Sequence, residues 1–280
     1  MTRYAHKSVA PTTSHERAHG ASIVAVVKRA GGFNLSDSGH HIGDKGTLRS
    51  LDFRARASLS ELMDQPCSYE ELRDCLIDIE RFNRFTCGHR PTLRWLERFR
   101  HSSEVLQILD VGCGGGDMLR RIESWARQCA LQVKLTGVDI NPHAVRTAQK
   151  ISSASSIEWK TGDIFTIFDS GPIDIVISSL FTHHLSDADV VRFLTWMETH
   201  ARRGWFINDL HRKRLPYFLM RAISRFAPLH HFVKHDAPAS ILRAFSTTEW
   251  ATSLCAAGIE RNTVELFECM PARLCLSRVK

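Results

Sequence analysis

The stretch ILDVGCGGGD, residues 108–117, is the most informative part of this sequence for the fold. Its apolar start leads to Asp110, and four of the six residues that follow are glycine. A glycine-rich turn between a buried strand and a helix lets the backbone approach a nucleotide closely. The stretch therefore predicts a strand–turn–helix unit that binds a nucleotide.

Strand and helix patterns alternate from this stretch onward. Short apolar runs such as VKLTGVD and DIVISSLF predict strands, and amphipathic segments such as DMLRRIESWARQ predict helices between them. This alternation indicates an α/β fold whose parallel sheet is covered on both faces. The last two apolar runs, NTVELFE and ARLCLSRV, are joined by a short link and predict a closing hairpin.

Composition and periodicity divide the chain into three parts. Residues 1–50 are polar and rich in Gly, Ser and His, which predicts a disordered or weakly structured tail. Residues 51–101 show helical periodicity and a capping box at Ser68–Glu71, which predict an N-terminal helical cap. Residues 102–280 form the predicted main domain, in which a segment at about 211–245 predicts a helical lid inserted after the fifth strand.

The composition excludes several classes of protein. Of the 280 residues 43% are hydrophobic, but no run approaches the roughly 18 apolar residues of a membrane span. The N-terminus lacks the pattern of a signal peptide. The eight cysteines form no C-x-x-C pair and no zinc spacing. We therefore expect reduced thiols in a cytoplasmic protein without a metal site.

The spacing of the glycines distinguishes between nucleotide-binding patterns. A dinucleotide-binding turn has the pattern G-x-G-x-x-G, but Asp117 stands where its third glycine belongs. No Gly-Lys-Ser/Thr follows, which excludes a P-loop. Asp110 followed by Gly112, Gly114 and Gly116 instead resembles the motif of the class I S-adenosylmethionine (SAM) methyltransferases.

Three further positions strengthen this resemblance. Asp139 ends the second predicted strand, Asp163 and Ile164 follow the third, and SSLFTHHLSD follows the fourth. The resemblance implies that Asp139 binds the ribose hydroxyls, that Asp163 faces the adenine amine and that Ile164 packs on the adenine ring. The full set of SAM-binding residues that the resemblance implies is Asp110, Gly112, Cys113, Gly114, Gly116, Asp139, Ile140, Asp163, Ile164 and Ser179.

Each of these residues also has a purely structural interpretation. The glycines could serve only a tight turn, Asp139 could cap the next helix, and Asp163 could be a turn residue. Cys113 is interpreted as small filler of the loop, because no histidine stands near it in sequence to activate a nucleophile.

The resemblance covers about residues 105–280 and implies a particular architecture. The expected fold is a doubly wound, Rossmann-like methyltransferase sheet of seven strands in the order 3-2-1-4-5-7-6. Its last strand is expected to be antiparallel, which agrees with the closing hairpin.

The segment after the fifth strand is basic and amphipathic. Residues 201–235 carry eight Arg or Lys against one acid, which equals the chain's whole net charge of +7. Such a helix either closes an apolar pocket or lies on a membrane surface, and an ordinary buried helix is the alternative. The predicted apolar face consists of Leu215, Phe218, Leu219, Ala222, Ile223 and Phe226, flanked by Arg214, Arg221 and Arg225.

Several short sequence segments suggest the chemical class of the methyl acceptor. ELMD, LIDIERFNRFTCGHRPTLRWL, HHL and INDLHR resemble small-molecule methyltransferases found beside type III polyketide synthases, which O-methylate phenolic lipids and their quinones. More distantly, they resemble the ring C-methyltransferases of ubiquinone and menaquinone biosynthesis. The expected partner is therefore a hydrophobic small molecule, with peripheral membrane contact through the basic lid.

The sequence offers three candidate general bases. His184 and His183 follow the fourth strand near the expected methyl position, and His211 follows the fifth, with Asp209 as an orienting group. The alternative is that one or both of the paired histidines only bond the backbone of the turn.

Three other functions remain open from the sequence: ring C-methylation of a quinone precursor, RNA methylation, and a non-catalytic binding module. Nucleic acid is the less expected acceptor, because residues 178–181 read SSLF in place of the Asp/Asn-Pro-Pro-Tyr/Phe motif of enzymes that methylate exocyclic base amines. The oligomeric state is not indicated.

Overall fold

The computed structural model of the chain describes residues 51–167 and 173–280. The predicted tail, residues 1–50, lies outside the described residues.

One mixed sheet forms the centre of the described structure. Its strand order is β3-β2-β1-β4-β5-β7-β6; β1 to β5 are parallel, and β7 is antiparallel to both β5 and β6. The predicted order, the antiparallel last strand and the closing hairpin are confirmed. The strands are β1 (Leu106–Val111), β2 (Val133–Asp139), β3 (Glu158–Thr161), β4 (Ile173–Ser179), β5 (Ala201–Leu210), β6 (Glu265–Cys269) and β7 (Arg273–Val279).

Helices precede the sheet, connect its strands and form an insertion after β5. Short 3-10 turns lie at Leu62–Asp64, Glu97–Phe99, Thr182–His184 and Arg261–Thr263. The α-helices are α1 (Tyr69–Phe85), α2 (Arg90–Leu96), α3 (Asp117–Gln128), α4 (Pro142–Ile151), α5 (Ile164–Ile167), α6 (Asp187–His200), α7 (Arg214–Phe226), α8 (His231–Arg243) and α9 (Thr247–Ala256).

Local sequence signals determine where several helices begin. Ser68 and Ser246 each form a capping box with the Glu three residues later, so that side chains satisfy free backbone N–H groups at the starts of α1 and α9. The Ser186 hydroxyl accepts a hydrogen bond from the backbone N–H of Asp189 at the start of α6.

The helical periodicity that begins near residue 55 does not produce a helix there. Residues 51–61 form neither a helix nor a strand, and the first α-helix starts at Tyr69. Tertiary partners replace helical hydrogen bonds: the backbone N–H of Ala57 donates to the Leu242 carbonyl, and Arg212 donates to the Phe53 carbonyl. We call residues 51–64 the N-terminal strap.

Apolar layers cover both faces of the sheet, as parallel strands require. Ile108 and Leu109 are neighbours in β1 but point to opposite faces, and each belongs to a different core cluster. The Leu109 side also contains Phe193 of α6 and Trp250 of α9, and the Ile108 side contains Ile122 of α3. This burial fixes the sheet, so the loops at its edge lie on a rigid base.

The strand register brings the predicted site residues to one edge. Asp110 of β1 is level with Gly137 of β2, and Asp139 at the end of β2 is level with Thr161 of β3. On the other side of β1, Ser179 ends β4 beside Asn208 of β5. The loops that leave these strand ends therefore surround the same space.

Helices α7 and α8 occupy the segment, about 211–245, for which the sequence predicts a helical lid. Phe218 and Phe226, assigned from sequence to a face that either closes a pocket or lies on a membrane surface, are 50% and 86% exposed, so this face does not close the cavity. The inward face consists of Tyr217 and Met220, which are buried against α8 and the strap. No helix among the described residues is long and apolar enough to cross a bilayer.

Candidate active site

A cavity of about 650 Å³ lies at the carboxyl edge of the sheet. Three groups of residues line it: the loops after β1 to β4, the segment from the strap to α1, and the inner faces of α7 and α8. Ligand sites of open α/β sheets occur at this edge, where connections leave for opposite faces. The cavity is thus the candidate active site.

The glycine loop forms one wall of this cavity. Gly112 has φ +71°, and a Cβ atom there would lie 2.5 Å from the Phe181 ring, so only glycine fits. Gly112, Cys113 and Gly114 line the cavity, as expected. Gly116 is outside the lining and meets the Trp159 ring at the start of α3, which is a structural role.

Burial and two nearby carboxylates determine the chemistry of Cys113. Burial, together with the negative charges of Asp139 and Asp110, raises the pKa of the Cys113 thiol well above its ordinary value. The thiol therefore stays protonated, which agrees with its interpretation as filler of the loop.

Asp110 is a buried acid without a hydrogen-bond donor on one oxygen. It is 1% exposed, and its Oδ1 atom has no partner among the described residues. Burial, and then the charges of Asp117 and Asp139, raise its pKa well above the ordinary value. A buried acceptor of this kind beside a glycine loop fits a ligand that brings a cationic donor, such as the amino group of SAM.

Asp139 is held in place at the opposite side of the loop. Its Oδ2 accepts from the Gly114 N–H and its Oδ1 from the Asn141 N–H, both at 2.9 Å. The N-cap of α4 is Asn141, which bonds the His143 N–H, so Asp139 is not the cap residue. Burial raises the pKa of Asp139 and these two bonds oppose the rise. Each oxygen keeps a lone pair for ligand hydroxyls.

The remaining predicted SAM residues also line the cavity. Asp163 accepts a hydrogen bond from the Phe165 N–H at 3.0 Å, which is the turn contact of the alternative interpretation, and it also lines the cavity, where Ile164 beside it is buried. Ile140 and Ser179 lie on the lining as well. These features match the chemical groups of SAM. The glycine loop leaves room for the ligand, the three acids at successive strand ends can accept hydrogen bonds from it, and Ile164 offers an apolar surface for its ring.

His183 and Asp209 form a buried pair at the floor of the cavity. Nδ1 of His183 lies 2.7 Å from Oδ1 of Asp209, and the backbone N–H of His183 donates to Oδ2. Burial alone would raise the pKa of Asp209, but the His183 ring, the Thr182 hydroxyl and the Leu210 N–H hold it well below the usual range. Because an ionised carboxylate only accepts, Nδ1 of His183 is the donor of this hydrogen bond, which fixes the tautomer of the neutral ring with Nε2 unprotonated.

His184 lies in a different electrostatic environment. Its Nδ1 lies 3.1 Å from Oδ1 of Asp64, and its Nε2 lies 3.8 Å from Oε2 of Glu61. Burial lowers its pKa, but the two carboxylates outweigh burial and raise the pKa above the ordinary value. A histidine whose raised pKa keeps it protonated near neutral pH is less available to accept a proton from an acceptor. The geometry therefore favours His183 over His184 as the base.

His211 lies away from these groups. It is not part of the cavity lining, and its Nδ1 is 3.7 Å from Oε1 of Glu268 on β6. Burial lowers its pKa. The structure does not bring His211 together with the paired histidines.

The sequence did not reveal three charged residues of the site. Glu61 and Asp64 of the strap and Arg243 of α8 are all buried beside the histidines. Nη1 of Arg243 lies 3.2 Å from Oε1 of Glu61 and 2.9 Å from Oδ2 of Asp64. These partners are separated by about 180 residues, and no short motif marks such a pairing.

Glu61, His183 and His184 also present ligand atoms within 4.8 Å of one another, which is close enough to hold a metal ion. The guanidinium of Arg243 already supplies a positive charge to Glu61. The group therefore combines one carboxylate and two imidazoles with a cation that is already paired to Glu61.

The chain resembles known methyltransferases in sequence. Residues 108–204 match the family model described as "Methyltransferase domain". Ajmaline N-methyltransferase of Rauvolfia serpentina is 27% identical over 170 residues, which are 52% of this chain and 55% of that protein. An uncharacterized methyltransferase of Mycobacterium bovis is 35% identical over 81 residues, 29% of this chain and 38% of that protein. The chain thus spans about half the length of these curated relatives, or less.

Solved structures share the fold. The plantazolicin methyltransferase BpumL, bound to SAH and a desmethylPZN analog, superposes with a TM-score of 0.53 at 14% identity, covering 76% of this chain and 96% of that one. Human N-acetylserotonin methyltransferase in complex with SAM superposes with a TM-score of 0.54 at 16% identity, covering 76% and 57%.

The fold, the matched domain and the cavity lead to the same class. Residues 108–204 match a methyltransferase domain, and the described residues have the Rossmann-like sheet that SAM-dependent methyltransferases share. Structures with bound SAM or SAH share this fold, and the glycine loop side of the cavity carries residues that the sequence predicts to bind SAM.

Proposed function

We propose that this protein transfers a methyl group from SAM to the hydroxyl oxygen of a hydrophobic phenol or quinol. The observation that supports this most is the His183–Asp209 pair, which lies beside the cavity that the glycine loop also lines. SAM supplies a methyl group that its positive sulfur has already activated. The chain has to orient the acceptor, exclude water and remove one proton.

Proton removal is assigned to His183. Asp209 accepts a hydrogen bond from Nδ1–H, so in the neutral ring Nε2 has the lone pair that takes the proton of the acceptor hydroxyl. The negative charge of Asp209 then stabilises the imidazolium that forms. Glu61, with Oε1 at 3.9 Å from Nε2, stabilises the same charge from the cavity side.

The helical walls of the cavity support an apolar acceptor. Leu76, Ile79 and Phe82 of α1 face the cavity together with Met220 of α7 and Ile241 of α8. Apolar walls with a few convergent polar groups are typical of sites for small organic molecules. The short sequence segments that resemble O-methyltransferases of phenolic lipids favour an acceptor with a long apolar chain.

An activity screen tests the proposal. The protein is incubated with methyl-labelled SAM and, in separate reactions, with alkylresorcinols, quinols, fatty acids and RNA. We expect labelled product from alkylresorcinols or quinols, with the label on oxygen by mass spectrometry. Label on a ring carbon would instead assign the protein to quinone C-methylation, and label only on RNA would make it an RNA methylase.

Calorimetry of SAM binding provides the decisive control. If the purified protein bound no SAM, the enzyme proposal would fail and a non-catalytic binding module would be left. Asp139→Asn is the informative variant, because the amide keeps an acceptor for one backbone N–H but removes the negative charge. We expect weaker SAM binding with retained folding.

A further inference from the structure

The outer face of α7 exposes an unusual amount of apolar surface. Large apolar residues occur singly on most protein surfaces, but several on one helix face indicate an interaction site. Four side chains at helical spacing project outward from α7, and the exposed fractions are 76% for Leu215, 50% for Phe218, 51% for Leu219 and 86% for Phe226.

Unpaired positive charges surround this apolar face. Arg214, Arg221 and Arg225 of α7 and Lys234 of α8 are exposed. Within residues 51–167 and 173–280, no carboxylate lies within ion-pair distance of these four side chains, whereas Lys213 just before α7 is paired with Glu268. A cationic rim around an apolar centre complements a bilayer with anionic headgroups.

The same helix forms part of the cavity wall. Met220, on the inner face of α7, lines the cavity, while Phe218 and Leu219, its neighbours in sequence, point outward. One helix therefore separates the cavity from the exposed apolar face. A lipid acceptor that leaves a bilayer at this face would have a short path to the cavity.

The chain's own N-terminal residues do not complement the charge of the rim. Residues 1–50 contain seven Arg or Lys and three Asp or Glu, so their net charge has the same sign as the rim.

We infer that the outer face of α7 docks the protein on membranes that contain anionic phospholipids. Phe218, Leu219 and Phe226 enter the interface between headgroups and acyl chains, and the arginines contact the phosphates. The docking itself follows from this surface, and its purpose, the collection of a lipid acceptor, rests on the proposed function.

Vesicle flotation of the full chain tests the inference. The two probes are vesicles of phosphatidylcholine alone and vesicles of phosphatidylcholine with phosphatidylglycerol. We expect binding to the anionic vesicles and at least tenfold weaker binding to the neutral ones, since each basic side chain near the surface contributes about fivefold. If the full chain floated with neither vesicle, or equally with both, the inference would be overturned.

Matched variants locate the surface. Phe218→Ser with Phe226→Ser, and separately Arg221→Glu with Arg225→Glu, should each reduce anionic-vesicle binding at least tenfold. Val105→Ser with Phe85→Ser replaces exposed apolar residues that precede β1 and end α1. Lys134→Glu with Arg127→Glu reverses exposed charges on β2 and α3. These controls should bind vesicles like the original protein, and equal losses in them would overturn the assignment to α7.

If the face instead bound a second copy of the chain or RNA, the experiments would give different results. If sedimentation velocity showed a dimer that the Phe218→Ser, Phe226→Ser variant converts to a monomer, the face would be a contact between two copies. If RNA bound with a steep salt dependence and only the Arg221→Glu, Arg225→Glu variant lost it, the face would be a nucleic-acid surface. Either result overturns membrane docking.

Two further measurements distinguish a loss of membrane docking from a loss of catalysis. SAM binding by calorimetry and turnover of a short-chain, water-soluble phenol are measured on the same variants. We expect the α7 variants to lose vesicle binding but to retain SAM binding and turnover of the short-chain phenol. No SAM binding by the original protein would remove the proposed function but would leave the vesicle result to stand on its own.

Discussion

Asp209→Asn tests the assignment of the general base. Asp209 is 2% exposed and accepts four hydrogen bonds: two on Oδ1, from His183 Nδ1 and the Leu210 N–H, and two on Oδ2, from the His183 N–H and the Thr182 hydroxyl. The amide of asparagine has one oxygen, so either orientation leaves one backbone N–H facing an NH₂ group. Neither orientation restores the negative charge beside the His183 ring.

Two separate magnitudes follow from these contacts. A positioned general base contributes about 10²–10⁴-fold in rate, equivalent to about 2.7–5.4 kcal/mol of activation free energy, and without Asp209 the imidazolium loses its stabilising charge. We therefore expect kcat to fall by at least about 10²-fold. The unsatisfied backbone N–H should lower the free energy of unfolding by about 1–3 kcal/mol.

Asp174→Asn is the matched control. Asp174 is also a buried aspartate of the sheet whose carboxylate accepts a backbone N–H, that of Gln107 at 2.9 Å. It lies in β4 at the edge opposite the cavity, so its replacement should cost stability but not kcat. Single-turnover methyl transfer gives the rate, urea unfolding gives the stability, and calorimetry gives the SAM affinity of both variants.

The pH dependence separates a catalytic effect from a structural one. As the pH approaches about 10, a phenol ionises without help, so the rate deficit of Asp209→Asn should shrink. A kcat within threefold of the Asp174→Asn value at neutral pH would refute the assignment of His183 as the base. A deficit that stays constant as the pH rises would do the same.

Three further predictions concern the loop, the histidine cluster and metal ions. Gly112→Ala should weaken SAM binding more than Gly258→Ala, measured by calorimetry, because both glycines have φ +71° but only at 112 does the added Cβ meet a side chain, that of Phe181. In the original protein, the raised pKa of His184 stabilises the folded state at low pH, and this stability is lost as the pH rises from about 6.5 through the folded-state pKa. His184→Gln should therefore show a smaller decrease of the unfolding free energy over this pH range, measured by urea titration. Treatment with EDTA should leave activity unchanged, because Arg243 supplies the positive charge beside Glu61; a loss that divalent ions restore would show a metal site.

The sheet and the donor half of the cavity could be predicted because their signals are local. Each strand that carries a SAM residue ends in a short motif, and parallel strands bring their carboxyl ends to one edge, so the acids after β1, β2 and β3 had to meet. The hairpin of β6 and β7 was equally visible from two adjacent apolar runs.

The part of the cavity formed by the strap and the lid, where the methyl acceptor is proposed to bind, depends on contacts between segments that are distant in sequence. Glu61 and Asp64 meet Arg243 across about 180 residues, and nothing in the sequence around them indicates this pairing. The orientation of α7 was also not predictable, because the helix is apolar on two sides: Met220 faces inward, and Phe218 faces outward. Periodicity identifies an apolar stripe but does not say which stripe the rest of the chain covers.

The N-terminal strap has a consequence for attempts to change the acceptor by exchanging segments between related enzymes. Arg56 donates to the carbonyls of Arg243, His183 and Leu185, and Asp236 of α8 accepts from the backbone N–H groups of two strap residues. A transplanted lid alone would leave these buried donors and charges without partners. Residues 51–64 and the lid therefore form one exchangeable unit, although most of the domain separates them in sequence.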